Sequence, residues 1–322
     1  MKKTLHQTAG WNRRTRVFAA VLAAAMLLLS ACGTKDSLES SVRKTSAYLI
    51  ENADGYDAGT DASGWIVIGL AKAGEYCDDD ARADAESEYY DNVRALAKST
   101  NGELSKDQIT VYERTVMALH AIGRNPADVE GHDLTKALDD RNTAVRQGLN
   151  AEIYALIAAG DLGIHLSNEE QYISDVRKSI KESGAVSAGG GGGVDLTAAA
   201  VQALSFYDKK SGVPDDIDRM MRYLSKEQQD SGSYDTCEET AQVIIALNMT
   251  GKKVDSAEDF IKHGKTLEDG LMSFRKGDGF SHDKDGETDL MASNQALLAM
   301  DSILLAQDGG KLYGEDADDG DK

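Results

Sequence analysis

The sequence predicts an all-α protein, an α/α toroid of six helical hairpins, and three observations carry that expectation. First, a short apolar segment rich in small residues returns six times. It reads 63-SGWIVIGLAKAG-74, 111-VYERTVMALHAIG-123, 148-GLNAEIYALIAAG-160, 193-GVDLTAAAVQALSFY-207, 238-EETAQVIIALNMTG-251 and 287-ETDLMASNQALLAM-300. Anchored on Leu70, Leu119, Leu156, Leu204, Leu247 and Met300, the copies stand 49, 37, 48, 43 and 53 residues apart, a mean of 46 and the length of one helical hairpin. Second, more charged stretches with one apolar helical face lie between the copies. Third, strand signals are scarce and the whole chain holds two prolines. Six buried helices wrapped inside six half-exposed ones make a closed ring, and closure removes the need for capping repeats.

Residues 1–31 read as a signal peptide rather than as structure. Lys2, Lys3, Arg13, Arg14 and Arg16 precede an apolar run, Val17–Leu29, too short for a permanent span. The run ends in Leu29-Ser30-Ala31-Cys32, which resembles the bacterial lipobox. That resemblance implies cleavage before Cys32, acylation of its thiol and new amino terminus, and a protein held by membrane lipid on the outer face of the plasma membrane. Residues 32–41 then form a polar, lipidated tether.

The toroid is expected over residues 42–308. Its outer helices are predicted at Val42–Asn52, Arg82–Lys98, Asp133–Arg141, Asn168–Glu182, Asp215–Gln228 and Ala257–Phe274. In the fifth, Ile217, Met220, Met221 and Leu224 share a face, and Pro214 stands where a helix starts. The inner segments are apolar nearly all round, as helices buried on several sides must be. Residues 309–322, with Glu315, Asp316, Asp318, Asp319 and Asp321, read as an acidic disordered tail.

Charge excludes one class of partner. The formal charge is −20, and losing residues 1–31 removes five basic and no acidic residues, taking it to −25. A nucleic-acid partner needs basic surface to displace counterions, so none is expected. Cys77 and Cys237 are the cysteines left beside Cys32, in different repeats, and read as two unpaired thiols.

Glycine-rich turns precede the later inner segments at Ala188–Gly193, Gly232-Ser233 and 277-GDGFS-281, and lead into T-A-x-x-x-x-A-L helices at Thr197 and Thr240. This pattern resembles the toroid repeats of squalene cyclases, prenyltransferase β-subunits and the transcobalamin group over about Asp36 to Leu305. The run 111-VYERTVMALHAIGRNPADVEGHDL-134 with 147-QGLNAEIYALIAAGD-161 resembles envelope-anchored bacterial members most. The resemblance implies three activities. For a cyclase, 236-TCEETA-241 falls in the register of the acid motif, with Glu238 and Glu239 as candidate catalytic acids, but Thr236 replaces the first acid. Neighbouring carboxyls raise one another's pKa; at a helix start they also serve as simple dipole partners. For a prenyltransferase, Asp235, Cys237 and His282 are the candidate zinc ligands, but Ala292 stands where the resemblance implies a histidine.

For a transcobalamin-like binder, the open face of the toroid is the site. Asp61, Glu113, Glu152, Asp195, Glu238, Glu239 and Asp289 fall near inner-helix starts, which converge on one face, so the mouth is expected to be a ring of carboxylates. Trp65, Tyr112, Asn150, Tyr154, Gln202, Gln242, Asn294 and Gln295 add stacking and hydrogen-bonding capacity. No cofactor motif is readable; the Gly189–Gly193 run lacks the Lys-Ser/Thr of a phosphate loop. The reading is a lipid-anchored toroid that binds at its mouth a small molecule for delivery to a membrane transporter, or an envelope partner. A terpenoid cyclase or prenyltransferase-type enzyme is the alternative.

Overall fold

Buried and half-exposed helices alternate along the chain, because segments apolar all round alternate with segments apolar on one face. A computed structural model describes residues 36–59, 61–189 and 191–314; the leader, Cys32 and the acidic run 315–322 lie outside them. In chain order the helices are α1 (Leu38–Asn52), α2 (Asp61–Ala73), α3 (Asp79–Thr100), α4 (Ile109–Ala121), α5 (Arg141–Gln147) and α6 (Leu149–Asp161). Then follow α7 (Glu169–Ser179), α8 (Val194–Leu204), α9 (Val213–Glu227), α10 (Cys237–Met249), α11 (Leu267–Met272) and α12 (Leu290–Gln307). Even-numbered helices pack each on the next, and α12 returns to pack on α2, which closes an inner ring of six. The first outer helix, α1, covers the closing seam against both α12 and α2. The protein is an α/α toroid.

Burial explains the division of labour. In α10 every residue from Thr240 to Met249 is buried, and removing one Leu- or Ile-sized side chain from water contributes about 1.5–3 kcal/mol. Outer helix α9 buries Val213, Asp216, Ile217, Met220, Met221 and Leu224 and leaves its other face to water. Short antiparallel ribbons occupy the glycine-rich turns: β1 (Val186–Ala188) pairs with β2 (Gly191–Gly193), and β3 (Arg275–Lys276), β4 (Gly279–Ser281) and β5 (Thr288–Asp289) make a three-stranded one. Glycine is required at 192, where φ is +141° and a Cβ would lie 2.4 Å from the Val186 carbonyl oxygen.

Four features differ from the expectations. Helix α1 begins at Leu38 with Leu38 and Ser41 buried, so the end of the stretch read as tether, 38–41, belongs to the ring. The third outer stretch is split into a 3-10 turn, Leu134–Asp139, and α5, because Asp140 caps a fresh helix by accepting from the Thr143 N–H at 3.1 Å. The sixth is split between Glu258–Phe260 and α11, which starts at a reciprocal cap between Thr266 and Asp269. Within the stretch read as disordered tail, Leu312 and Tyr313 are buried, and the Gly314 N–H donates to Asp161 Oδ1 at 2.9 Å at the end of α6. Cys77 and Cys237 are both buried and unpaired.

Candidate ligand-binding site

Because hairpins alternate direction, the six inner helices present their first turns on one face of the ring, and a cavity of about 460 Å³ opens there. Each helix lines it with the first two turns in one register: Trp65 from α2, Thr110 and Arg114 from α4, Asn150 and Tyr154 from α6, Asp195 and Ala199 from α8, Glu238 and Gln242 from α10, Met291 and Gln295 from α12. Residues four apart lie on the same helix face. A further turn along, the same step gives Gly69, Ala118, Ala158, Ala203, Ala246 and Ala299, all buried. Side chains this small let six helices draw together beneath the cavity. Tyr313 comes from the opposite end of the ring and lies within electrostatic reach of Tyr154 and Asp161.

The walls combine aromatic, amide and acidic groups. Trp65 and Tyr154 meet edge to face, ring centroids 5.6 Å apart. Gln202 Nε2 donates to Gln242 Oε1 at 2.8 Å, and Gln242 Nε2 donates to Gln295 Oε1 at 2.6 Å, an amide ladder across α8, α10 and α12. Glu113 is 2 % exposed, and neither of its carboxyl oxygens has a hydrogen-bond partner. Burial pushes its pKa well up, and the neighbouring Arg114 opposes the shift. Asp195 reaches water through the opening, yet enclosure by the walls desolvates its carboxyl and raises its pKa. The Tyr154 phenol is pushed up by burial first, then by Asp195 and Glu113. Glu238 Oε2 pairs with His282 Nδ1 at 2.9 Å at the rim.

Of the residues expected at the mouth, the structure brings Trp65, Glu113, Asn150, Tyr154, Asp195, Glu238, Gln242 and Gln295 to one cavity. Asp61 heads α2, one turn before Trp65. Five others are placed elsewhere. Tyr112 turns away, its hydroxyl donating to the Ser105 carbonyl at 3.2 Å. Glu239 is a cap: Thr236 Oγ1 accepts from its N–H at 3.1 Å, and its carboxylate takes backbone N–H groups of Thr236 and Asp235 in return. Its carboxyl pKa is raised by burial foremost, so the adjacent pair Glu238 and Glu239 is divided between a cavity wall and a helix cap. Asp289 caps α12 through the Ala292 N–H at 2.8 Å, and Asn294 is 2 % exposed beside Gly69. Glu152 faces outward against Asp175, and burial raises it to about 7.

The candidate zinc ligands do not converge. Asp235 accepts from Gln229 at 2.6 Å, Cys237 donates its thiol to the Ala292 carbonyl at 3.7 Å, and His282 is paired with Glu238. Among the described residues no group of three or more His, Cys, Asp or Glu is placed to hold a metal ion. Sequence reasoning missed Thr110, Arg114, Leu196, Ala199 and Met291. Arg114 was findable, since it occupies in α4 the position that Trp65, Tyr154 and Gln295 hold in theirs.

A closed inner ring with a cavity at its first turns defines the class as an α/α toroid. No protein-family model matches the chain, and no curated protein matches it. Solved structures do. The unsaturated glucuronyl hydrolase of Bacillus sp. GL1, responsible for the degradation of glycosaminoglycan, superposes with a TM-score of 0.59 at 12% identity over 85% of this chain and 97% of that one. Candida albicans protein geranylgeranyltransferase-I, complexed with GGPP, gives 0.55 at 12% identity over 85% and 93%. At that identity the likeness establishes the shared toroid fold.

Proposed function

We propose that this protein captures a small molecule in the mouth of its inner ring. It does so as a lipoprotein held through Cys32 outside the plasma membrane, where it serves a transporter or another envelope component. The observation that carries the reading is Glu113, a buried carboxyl in the cavity wall with no hydrogen-bond partner in the protein. A buried polar group left unpaired costs about 1–3 kcal/mol, and at a cavity wall a bound ligand can offset that cost. The alternative, isoprenoid chemistry, finds less support. The lining has one basic residue, Arg114, to meet a diphosphate and one indole to stabilise a carbocation, and Glu239 is committed to a helix cap.

The test is to incubate the purified full-length protein with polyprenyl diphosphates, with and without magnesium or zinc. No product is expected. A cyclised or prenylated product that disappears on replacing Glu238 and Glu239 by Gln would overturn the capture reading. The anchor is tested separately by metabolic labelling with a fatty-acid analogue. Cys32→Ala should abolish the label, and equal labelling of the variant would remove the lipoprotein assignment.

A further inference from the structure

We infer that the ligand of the mouth is an uncharged saccharide, with one sugar ring laid against Trp65 and its hydroxyls shared among the amides and carboxyls facing it. This rests on the capture reading above and deepens it. The lining decides the class by its mixture. A sugar hydroxyl donates and accepts at once, so its site needs both kinds of partner within one small space. Here Asp195 and Glu238 accept, Arg114 donates, and Asn150 and Gln295 do both. The donor run from Gln202 to Gln242 to Gln295 sets each amide's direction, so the NH2 group of Gln295 stands beyond the ladder at the cavity wall. Trp65 and Tyr154, half-buried and set at 65° to each other, supply the flat apolar surface that the C–H face of a sugar ring covers.

Other ligand classes fit less well. A diphosphate or polyanion meets one guanidinium against three carboxyl groups. An organic cation is favoured by a strongly negative cage, but here Arg114 lies in the wall and His282 pairs with Glu238 at the rim. A hydrocarbon chain would cover Asn150, Asp195 and the outward NH2 group of Gln295 without offering them partners, at the cost of unpaired buried polar groups.

The sequence supplies its own reporter. The chain has two tryptophans, Trp11 and Trp65, so in the full-length protein carrying Trp11→Phe the sole indole sits in the cavity wall. The experiment titrates that emission with a panel of neutral, uronate-containing and amino-sugar oligosaccharides, with choline and with geranylgeranyl diphosphate. Neutral saccharides should give a saturable change whose Kd moves less than about twofold between low and high salt. Asp195→Asn should weaken that binding about tenfold, and Tyr112→Phe, outside the mouth, should leave it unchanged. Salt-sensitive binding of the uronates, choline or the diphosphate in place of neutral sugars would overturn the saccharide assignment while leaving capture intact. An unchanged Trp65 emission with every probe, together with no retention of the protein on a glycan array, would overturn both.

Discussion

Trp65 and Tyr154 meet edge to face, centroids 5.6 Å apart, although α4 lies between their helices in the ring. The two rings therefore reach over a neighbour, and the wall of the mouth is continuous rather than a row of separate helix tips. Edge-to-face pairs contribute about 0.5–1.5 kcal/mol beyond burial. Trp65→Ala is predicted to lower stability by about 1–3 kcal/mol and to abolish ligand binding. Urea unfolding followed by far-ultraviolet circular dichroism measures the first effect and calorimetric titration the second. Unaltered affinity would separate the aromatic pair from the site.

The C-terminal segment is part of the fold. The Gly314 N–H donates to Asp161 Oδ1, the other Asp161 oxygen meets His120 Nδ1 at 3.0 Å, and Leu312 and Tyr313 are buried. Ending the chain after Asp308 should cost about 3 kcal/mol or more by exposing the surface those two side chains cover. A chain shortened in this way that unfolds at the same urea concentration would show that the segment does not brace the ring.

Asp301 gives the molecule a pH signature. It is 1 % exposed on α12, neither carboxyl oxygen has a hydrogen-bond partner, and burial pushes its pKa well up against a weaker opposing pull from Lys72. An acid whose folded pKa exceeds its unfolded value holds its proton longer in the folded state. Its contribution is whole below about pH 4, the unfolded range, and is lost as pH rises through the folded value. Glu152, raised to about 7, declines over a window reaching that value. Asp301→Asn should therefore flatten the stability curve on its alkaline side and stabilise at neutral pH by about 1–3 kcal/mol. A steeper loss above neutrality in the variant would reverse this account.

The amide ladder ties three inner helices together. Gln242→Leu keeps the volume roughly but takes the Oε1 acceptor from Gln202, which retains its 3.1 Å bond to the residue 242 carbonyl, and the amide donor from Gln295, both under 10% exposed. Leaving the Gln295 acceptor unpaired costs about 1–3 kcal/mol, so the denaturation midpoint should fall clearly. A midpoint within error of the parent would mean that the amides pair elsewhere.

The ring was legible because its evidence is repetitive: six apolar segments at hairpin spacing can bury themselves only together. The inner helices start within a few residues of their sequence readings, but the short ribbons at two of the glycine-rich turns were not foreseen. Where the reading went astray, a local polar contact overrode the pattern. Asp140 and the Thr266–Asp269 cap cut two outer helices short, and Leu312 with Tyr313 found cover that composition alone hides. At the mouth, proximity to a helix start was too coarse a rule. Glu239 and Asp289 lie one helix face away and cap backbone N–H groups, whereas Glu238, one residue before Glu239, lines the cavity. The i, i+4 register from Asn150 to Tyr154 and from Glu238 to Gln242 is the sharper signal, and it would have included Arg114.

The most direct measurement is a crystal structure of the protein grown with a saccharide that shifts Trp65 emission. The account predicts difference density in the cavity, against the Trp65 ring and within hydrogen-bond distance of Asp195, Glu238 or Gln295. Density for the sugar elsewhere on the surface, with the mouth holding only water, would contradict it.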